Sequence, residues 1–193
     1  MVAKYRPISS KIHPLIHNRW SPRSMTGESL TDEELAALFE AARLSPSCYN
    51  DQPWRFVYAT NHDPVWNDYL DLLVEFNKSW CKKAGALIVI ASRKKFEHNE
   101  KPSQTHSFDA GAACMNLALE GASRGLVVHG MGGFDYQKAA ILTKLPADFE
   151  VNAMFAVGKK APKESLSPEL QEKEVPSGRR PLTEIVFRGH YHS

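Results

Sequence analysis

The sequence predicts a single domain, residues 1–193, of the α+β or α/β class. Three observations carry this: a capping box opening an amphipathic helix at Thr31, the apolar run Ala84 to Ala91 suited to a buried strand, and loose alternation of helix-like and strand-like stretches with no linker between domains. With 42% hydrophobic residues the chain can bury a substantial core.

His13 to Asn18 has the pattern of a short helix that delivers Arg19-Trp20-Ser21-Pro22-Arg23, where Pro22 forbids helical continuation. Thr31 and Glu34 can cap one another's backbone donors, and Leu35, Leu38, Phe39 and Ala42 then recur at helical spacing. The loop Ser45 to Trp54 has two prolines that fix φ, and Ser47, Asn50 and Gln52 offer short polar groups able to hold the loop or grip a ligand. Arg55 to Ala59 reads as a strand, and Pro64 to Lys78 as one helix with Trp66, Tyr69, Leu70, Leu73 and Phe76 on its apolar side. Ala84 to Ser92 is a buried strand, and Arg93 to His106 a polar loop.

From Ser107 to Arg124 a helix rich in alanine and glycine permits close approach of another backbone or a flat ligand edge. Leu126 to Val128 is a short strand, Asp135 can cap a helix Tyr136 to Leu145, and Val151 to Val157 alternates as a strand that Gly158 ends. Lys159 to Ser177 reads as an extended excursion, and Arg179 to Phe187 closes the ordered chain.

Net charge is only +2 and the basic residues are scattered, which argues against a dedicated nucleic-acid binder. The first residues lack an apolar signal core and no run is long enough for a bilayer, so a soluble, cytoplasmic protein without membrane partners is expected. Cys48, Cys81 and Cys114 are odd in number and form no CxxC pair, which predicts reduced thiols and neither a disulfide framework nor structural zinc. The terminal His190-Tyr191-His192 lacks further ligands and reads as a frayed tail, so no metal site is expected.

Three separated places hold groups suited to a phosphate-bearing cofactor: Arg19 with Ser21 and Arg23, the turn His129-Gly130-Met131-Gly132-Gly133, and Arg179-Arg180. Arginine offers a planar fork of donors that matches phosphate oxygens. Glycines let backbone N–H groups approach a ligand closely, but the spacing here is not the GxGxxG of a dinucleotide fold.

In this order, the Arg-x-Ser-x-Arg element, the Ser-Pro-Ser-x-x-Asn-x-Gln-Pro-Trp element at Ser45 to Trp54, the helix Asp109 to Glu120, the Gly-Leu and Gly-Gly-Phe-Asp of Gly125 to Asp135, and the closing Arg-Arg-Pro-Leu resemble the nitroreductase family of FMN-dependent oxidoreductases. The resemblance runs from about His13 to Phe187. It implies an α+β homodimer, a central mixed sheet flanked by helices, and two FMN sites at the subunit interface. It also implies NAD(P)H as hydride donor and ping-pong reduction of nitroaromatics, quinones or similar electron-poor acceptors.

On that likeness Arg19 and Ser21 hold the phosphate with Arg179 or Arg180, Trp20 supplies backbone or packing, and Arg23 lies near the flavin N1 and C2 carbonyl. Asn77 touches the flavin edge, and Gly132 and Gly133, with the turn from His129 and Gly130, pass beside the ring. Pro46, Ser47, Cys48 and Asn50 are laid against the cofactor by the second subunit, while Gln52 and Trp54 are structural. No catalytic acid is required, because the flavin carries the chemistry. Tyr49 stands where related enzymes often have a small residue, and either narrows the pocket, touches the acceptor or packs within the dimer. Same-fold alternatives are reductive dehalogenation or flavin cleavage, and a further alternative is a flavin-binding module without turnover.

Overall fold

The computed structural model describes residues 2–192. Among them, four strands form one sheet in the order β1-β2-β4-β3, with β1 Trp54–Thr60, β2 Ala86–Arg93, β3 Leu126–Met131 and β4 Phe149–Lys159. Every neighbouring pair is antiparallel, so the sheet within one chain departs from the mixed sheet expected. The connection from β2 to its neighbour β4 passes through β3, which pairs antiparallel on β4's outer side and so allows β2 and β4 to run oppositely.

β2 is apolar on both faces because both are covered. Leu87 and Val89 join Trp80, Leu73, Phe134, Ala139 and Met154 on one side. Ala86, Ile88 and Ile90 meet α2 (Asp32–Arg43) and α5 (His106–Ser123) on the other, through Leu35, Leu38, Ala42, Ala113 and Leu117. A one-residue irregularity after Ile90 skips Asn152 in the pairing, and Asn152 Oδ1 accepts a hydrogen bond from Ser92 Oγ at 2.7 Å.

The helix at Thr31 forms as expected, with Thr31 Oγ1 accepting from the Glu34 N–H and the Glu34 carboxylate accepting from the Thr31 N–H. The α1 helix (Pro14–Asn18) also forms, but stops at Asn18 with Arg19 already extended, before Pro22 could end it. The single helix expected over Pro64 to Lys78 is divided into α3 (Trp66–Leu70) and α4 (Glu75–Cys81). Residues between them pair with the glycine turn: the Val74 N–H donates to Gly133 O and the Asp135 N–H donates to Leu72 O, so their backbone groups leave the helical ladder.

Three boundaries differ for equally local reasons. β3 continues through His129, Gly130 and Met131 because β4 supplies partners to Met154, leaving only Gly132 and Gly133 as turn. Gly158 lies inside β4, where an added Cβ would come within 2.8 Å of Met25 Sδ, so it serves close packing rather than termination. The helix capped by Asp135, α6 (Tyr136–Leu142), ends before Leu145, with Lys144 left-handed at φ 53. The excursion after β4 contains a 3-10 turn, Lys163–Ser165, and α7 (Pro168–Lys173). No helix among the described residues is long and apolar enough to cross a membrane.

Candidate functional site

The edge strand β3, the segment after α1 and the chain beyond α7 enclose a cleft of about 250 Å³. Arg19, Trp20, Ser21 and Arg23 line one side, His129 enters from β3, and Lys173, Ser177 and Arg179 face them. Sequence reasoning missed Arg6. It is only 7% exposed, lines the same cleft, donates from Nε to Ser177 O at 2.9 Å and from Nη1 to Arg19 O at 2.7 Å.

No ion pair with a carboxylate involves Arg6, Arg19, Arg23 or Arg179 among the described residues. Burial holds the Arg19 guanidinium below its ordinary pKa, and the charge of Arg179 adds to that effect. Arg6 is lowered likewise by burial, then by Arg179 and Arg19. A dianion would relieve this mutual repulsion. Ser21 adds a neutral oxygen 3.4 Å from Arg19 Nη1.

Arg23 is fixed from two directions. Its N–H donates to both oxygens of Glu174 at 2.9 Å, while its Nη1 donates to Lys173 O at 3.3 Å and its guanidinium lies 5.9 Å from the Phe76 ring centre. Its Nε is buried without a hydrogen-bond partner among the described residues. Glu174, 7% exposed, also accepts from the N–H and Oγ of Ser24, which explains how a buried carboxylate is tolerated. No sequence pattern pointed to Glu174, since its partners lie about 150 positions away.

His129 donates from Nδ1 to Pro22 O at 2.9 Å, which fixes the neutral tautomer with the proton on Nδ1. Burial lowers its pKa from 6.5; the nearby Arg23 charge acts the same way, against the opposing pull of the Pro22 carbonyl and Glu174. Its ring lies 4.7 Å from Trp80, whose Nε1 is also buried without a partner among the described residues.

The glycine turn and Arg180 stand apart from this cleft. Gly130, Gly132 and Gly133 do not line it, and Asn77 Nδ2 donates to Gly133 O at 3.0 Å, holding the turn against α4. An added Cβ at Gly133 would stand 2.8 Å from that same nitrogen. Arg179 lines the cleft whereas Arg180 is exposed outside its lining.

The loop after α2 lies outside this lining as well. It contains a 3-10 turn, Cys48–Asn50, in which Tyr49, Asn50 and then Gln52 adopt φ of 54, 55 and 49. Asp109 of α5, 5% exposed, accepts from the Cys48 N–H at 3.2 Å, and Asn116 Nδ2 donates to Ser45 Oγ at 2.7 Å. The Gln52 N–H donates to Ser47 Oγ at 3.0 Å and Gln52 Nε2 donates to Asn50 O, while Trp54 is buried. Those contacts match the structural roles expected for Gln52 and Trp54. Pro46 and Asn50 remain exposed, with Ser47 and Cys48 half-buried. All three cysteines are free, and no cluster among the described residues could hold a metal ion.

A family model described as the nitroreductase family matches residues 16–75 and 62–159. The chain is 26% identical over 171 residues to the oxygen-insensitive NADPH nitroreductase of Helicobacter acinonychis, covering 68% of this chain and 79% of the relative. A crystal structure of an oxidoreductase containing FMN matches with 39% identity and a TM-score of 0.92, over 97% of this chain and 96% of that one. A structure from Desulfovibrio desulfuricans in complex with FMN matches at 25% identity and a TM-score of 0.72, over 94% and 100% of the two chains. Since the family match runs from α1 to the end of β4, across the whole sheet and the arginine element beside it, the chain belongs to the nitroreductase family.

Proposed function

We propose that this protein is an FMN-dependent oxidoreductase that uses NAD(P)H to reduce nitroaromatic, quinone or similar electron-poor acceptors in a ping-pong cycle. The observation that carries the reading is the cleft of arginines without carboxylate partners, with Arg23 Nε buried and unsatisfied. Such a lining fits a phosphorylated, anionic cofactor far better than a neutral ligand.

In this reading Arg19, Ser21 and Arg179 hold the FMN phosphate, Arg6 joins them, and Trp20 packs alongside. Arg180 is a weaker candidate because it lies outside the cleft. When bound, FMN would supply the two-electron redox chemistry that links NAD(P)H to the acceptor. Arg23 supplies a preorganised positive charge for the reduced ring, held in place by Glu174, Lys173 and Phe76. His129, Gly130, Gly132, Gly133 and Asn77 bound the ring side, and Pro46, Ser47, Cys48 and Asn50 come from the second subunit of a homodimer.

Support for the dimer comes from α5. Its Gly121, Ala113 and Ala110 face the core, whereas Phe108 is 79% exposed and Gly111 has open space where a Cβ would stand. With Met115 they give an outward apolar stripe at helical spacing. The chain acts as one domain in the cytoplasm.

The test is a visible spectrum of the purified protein followed by anaerobic titration with NADH and NADPH. Bound flavin bleached by at least one nicotinamide is expected. Colourless protein whose melting temperature is not raised by added FMN would overturn the reading, and bound FMN that neither nicotinamide reduces would leave only a flavin-binding module.

A further inference from the structure

Arg6 precedes the first of the motifs that carry the family resemblance, yet it joins three stretches of the chain. It follows the 3-10 turn Val2–Lys4 and stands 13 positions before Arg19 and 171 before Ser177. Its N–H donates to Val2 O at 3.1 Å, and its own carbonyl oxygen lies 2.9 Å from His17 Nε2 of α1. From the side chain, Nε reaches Ser177 O and Nη1 reaches Arg19 O. Among the described residues, no hydrogen bond other than these ties residues 2–12 or residues 175–192 to the rest of the chain.

The two chain ends have little else to hold them. Leu182, Ile185, Val186 and Tyr191 are exposed, while Val2 and Pro176 are buried. Tyr5 O would stand 3.7 Å from a Cβ added at Gly178, so the first and last segments meet beside Arg6. A guanidinium carries five N–H donors in a rigid fork. Arg6 spends two of them on carbonyls of different segments, and it lines the cleft together with Arg19 and Arg179. The three positive charges push those segments apart, and a phosphate placed among them turns that repulsion into attraction.

We propose that Arg6 is a positioning residue through which an anion at the phosphate end of the cleft fixes both ends of the chain. By gripping Arg19 O and Ser177 O, it sets Arg19 and, two positions after Ser177, Arg179 toward one space. Phosphate binding and the docking of the two end segments are then linked, and each strengthens the other by the same factor. The inference rests on the FMN reading for the identity of the ligand, whereas the coupling itself requires only a phosphate.

The test is limited trypsin cleavage of the full chain. Lys4 and Arg179 are cut points on the two segments, and Arg188, exposed further along the tail, is the reference. In the parent, FMN and inorganic phosphate are each expected to slow cleavage after Lys4 and Arg179 relative to Arg188, whereas riboflavin, which lacks the phosphate, should not. Flavin-fluorescence titrations of Arg6→Ala and Arg6→Lys are run beside it. In Arg6→Ala the Kd for FMN should rise about ten- to hundredfold, with that for riboflavin within about twofold of the parent, and saturating FMN should no longer protect Lys4. Arg6→Lys keeps the charge but loses the fork, so its Kd for FMN should stay at least about threefold above the parent.

Equal cleavage after Lys4 in the parent with and without phosphate would overturn the coupling. Full recovery in Arg6→Lys would do the same, because Arg6 would then act as a charge alone. So would an equal loss of FMN and riboflavin in Arg6→Ala, because the substitution would then have disturbed the whole cleft. If the parent binds neither flavin, the oxidoreductase reading fails, while protection by inorganic phosphate still decides whether an anion fixes the chain ends.

Discussion

Arg6, Arg19 and Arg179 repel one another, and in a half-buried cleft that repulsion is weakly screened. Glu174 does not neutralise it by pairing with a guanidinium; it binds the backbone of Arg23 and Ser24 instead. The positive field is therefore left for a ligand while the residue that bears part of it is held still. His129 makes the same region sensitive to acid. Because burial lowers its pKa below 6.5, the unfolded chain binds this proton more readily than the folded one. The stabilising contribution of neutral His129 is fully present above about pH 6.5 and is lost as pH falls through that value toward the folded pKa. Chemical denaturation across pH 5 to 8 should show a shallower acid loss in His129→Gln than in the parent, and equal slopes would remove His129 as its source. Arg19, Ser21 and Arg23 were legible from residue type and order, and Arg179 only as one of the pair Arg179-Arg180. Arg6 and Glu174 were not, since each acts through contacts made far along the chain.

α5 shows how one element serves two purposes. Its small residues were read from the sequence as a surface for close approach, and the approach is now specific: a Cβ added at Gly121 would stand 2.4 Å from Val128 Cγ2 and 3.5 Å from Leu38 Cδ2. Val128 is β-branched and sits in the sheet, so it has little room to turn aside. Gly121→Ala should cost about 1–3 kcal/mol in urea unfolding through overpacking, and adding Val128→Ala should recover part of that loss. Simple additivity of the two substitutions would show that the contact does not govern the packing. The opposite end of α5 fixes the loop after α2 through Asp109 and Asn116. The capped helix α2 and the buried strand β2 were legible because their signals are local and periodic. The break between α3 and α4 was not, because the glycine turn that captures Leu72 and Val74 is distant in sequence.

At the scale of the molecule, the arginine cleft and the loop bearing Tyr49 are separate linings of one chain, and a second copy can bring one against the other. The exposed stripe of Phe108, Gly111 and Met115 is the surface on which that assembly is proposed. Phe108→Glu places an acidic residue in the first turn of α5, where the helix dipole favours it, so the monomer should remain folded. Sedimentation should then show a folded monomer with reduced FMN content, whereas an unaltered dimer would assign the interface elsewhere. By itself the sequence determined the helix caps, the buried central strand, the arginine pair around Ser21 and the resemblance that named the family, because each is written in neighbouring residues. Only the tertiary structure decided that the sheet is antiparallel within one chain, that Arg6 and Glu174 complete the cleft, and that Tyr49, Phe96 and His98 form one surface. Those outcomes depend on which distant backbone donors and side chains meet, and local propensity contains no information about that.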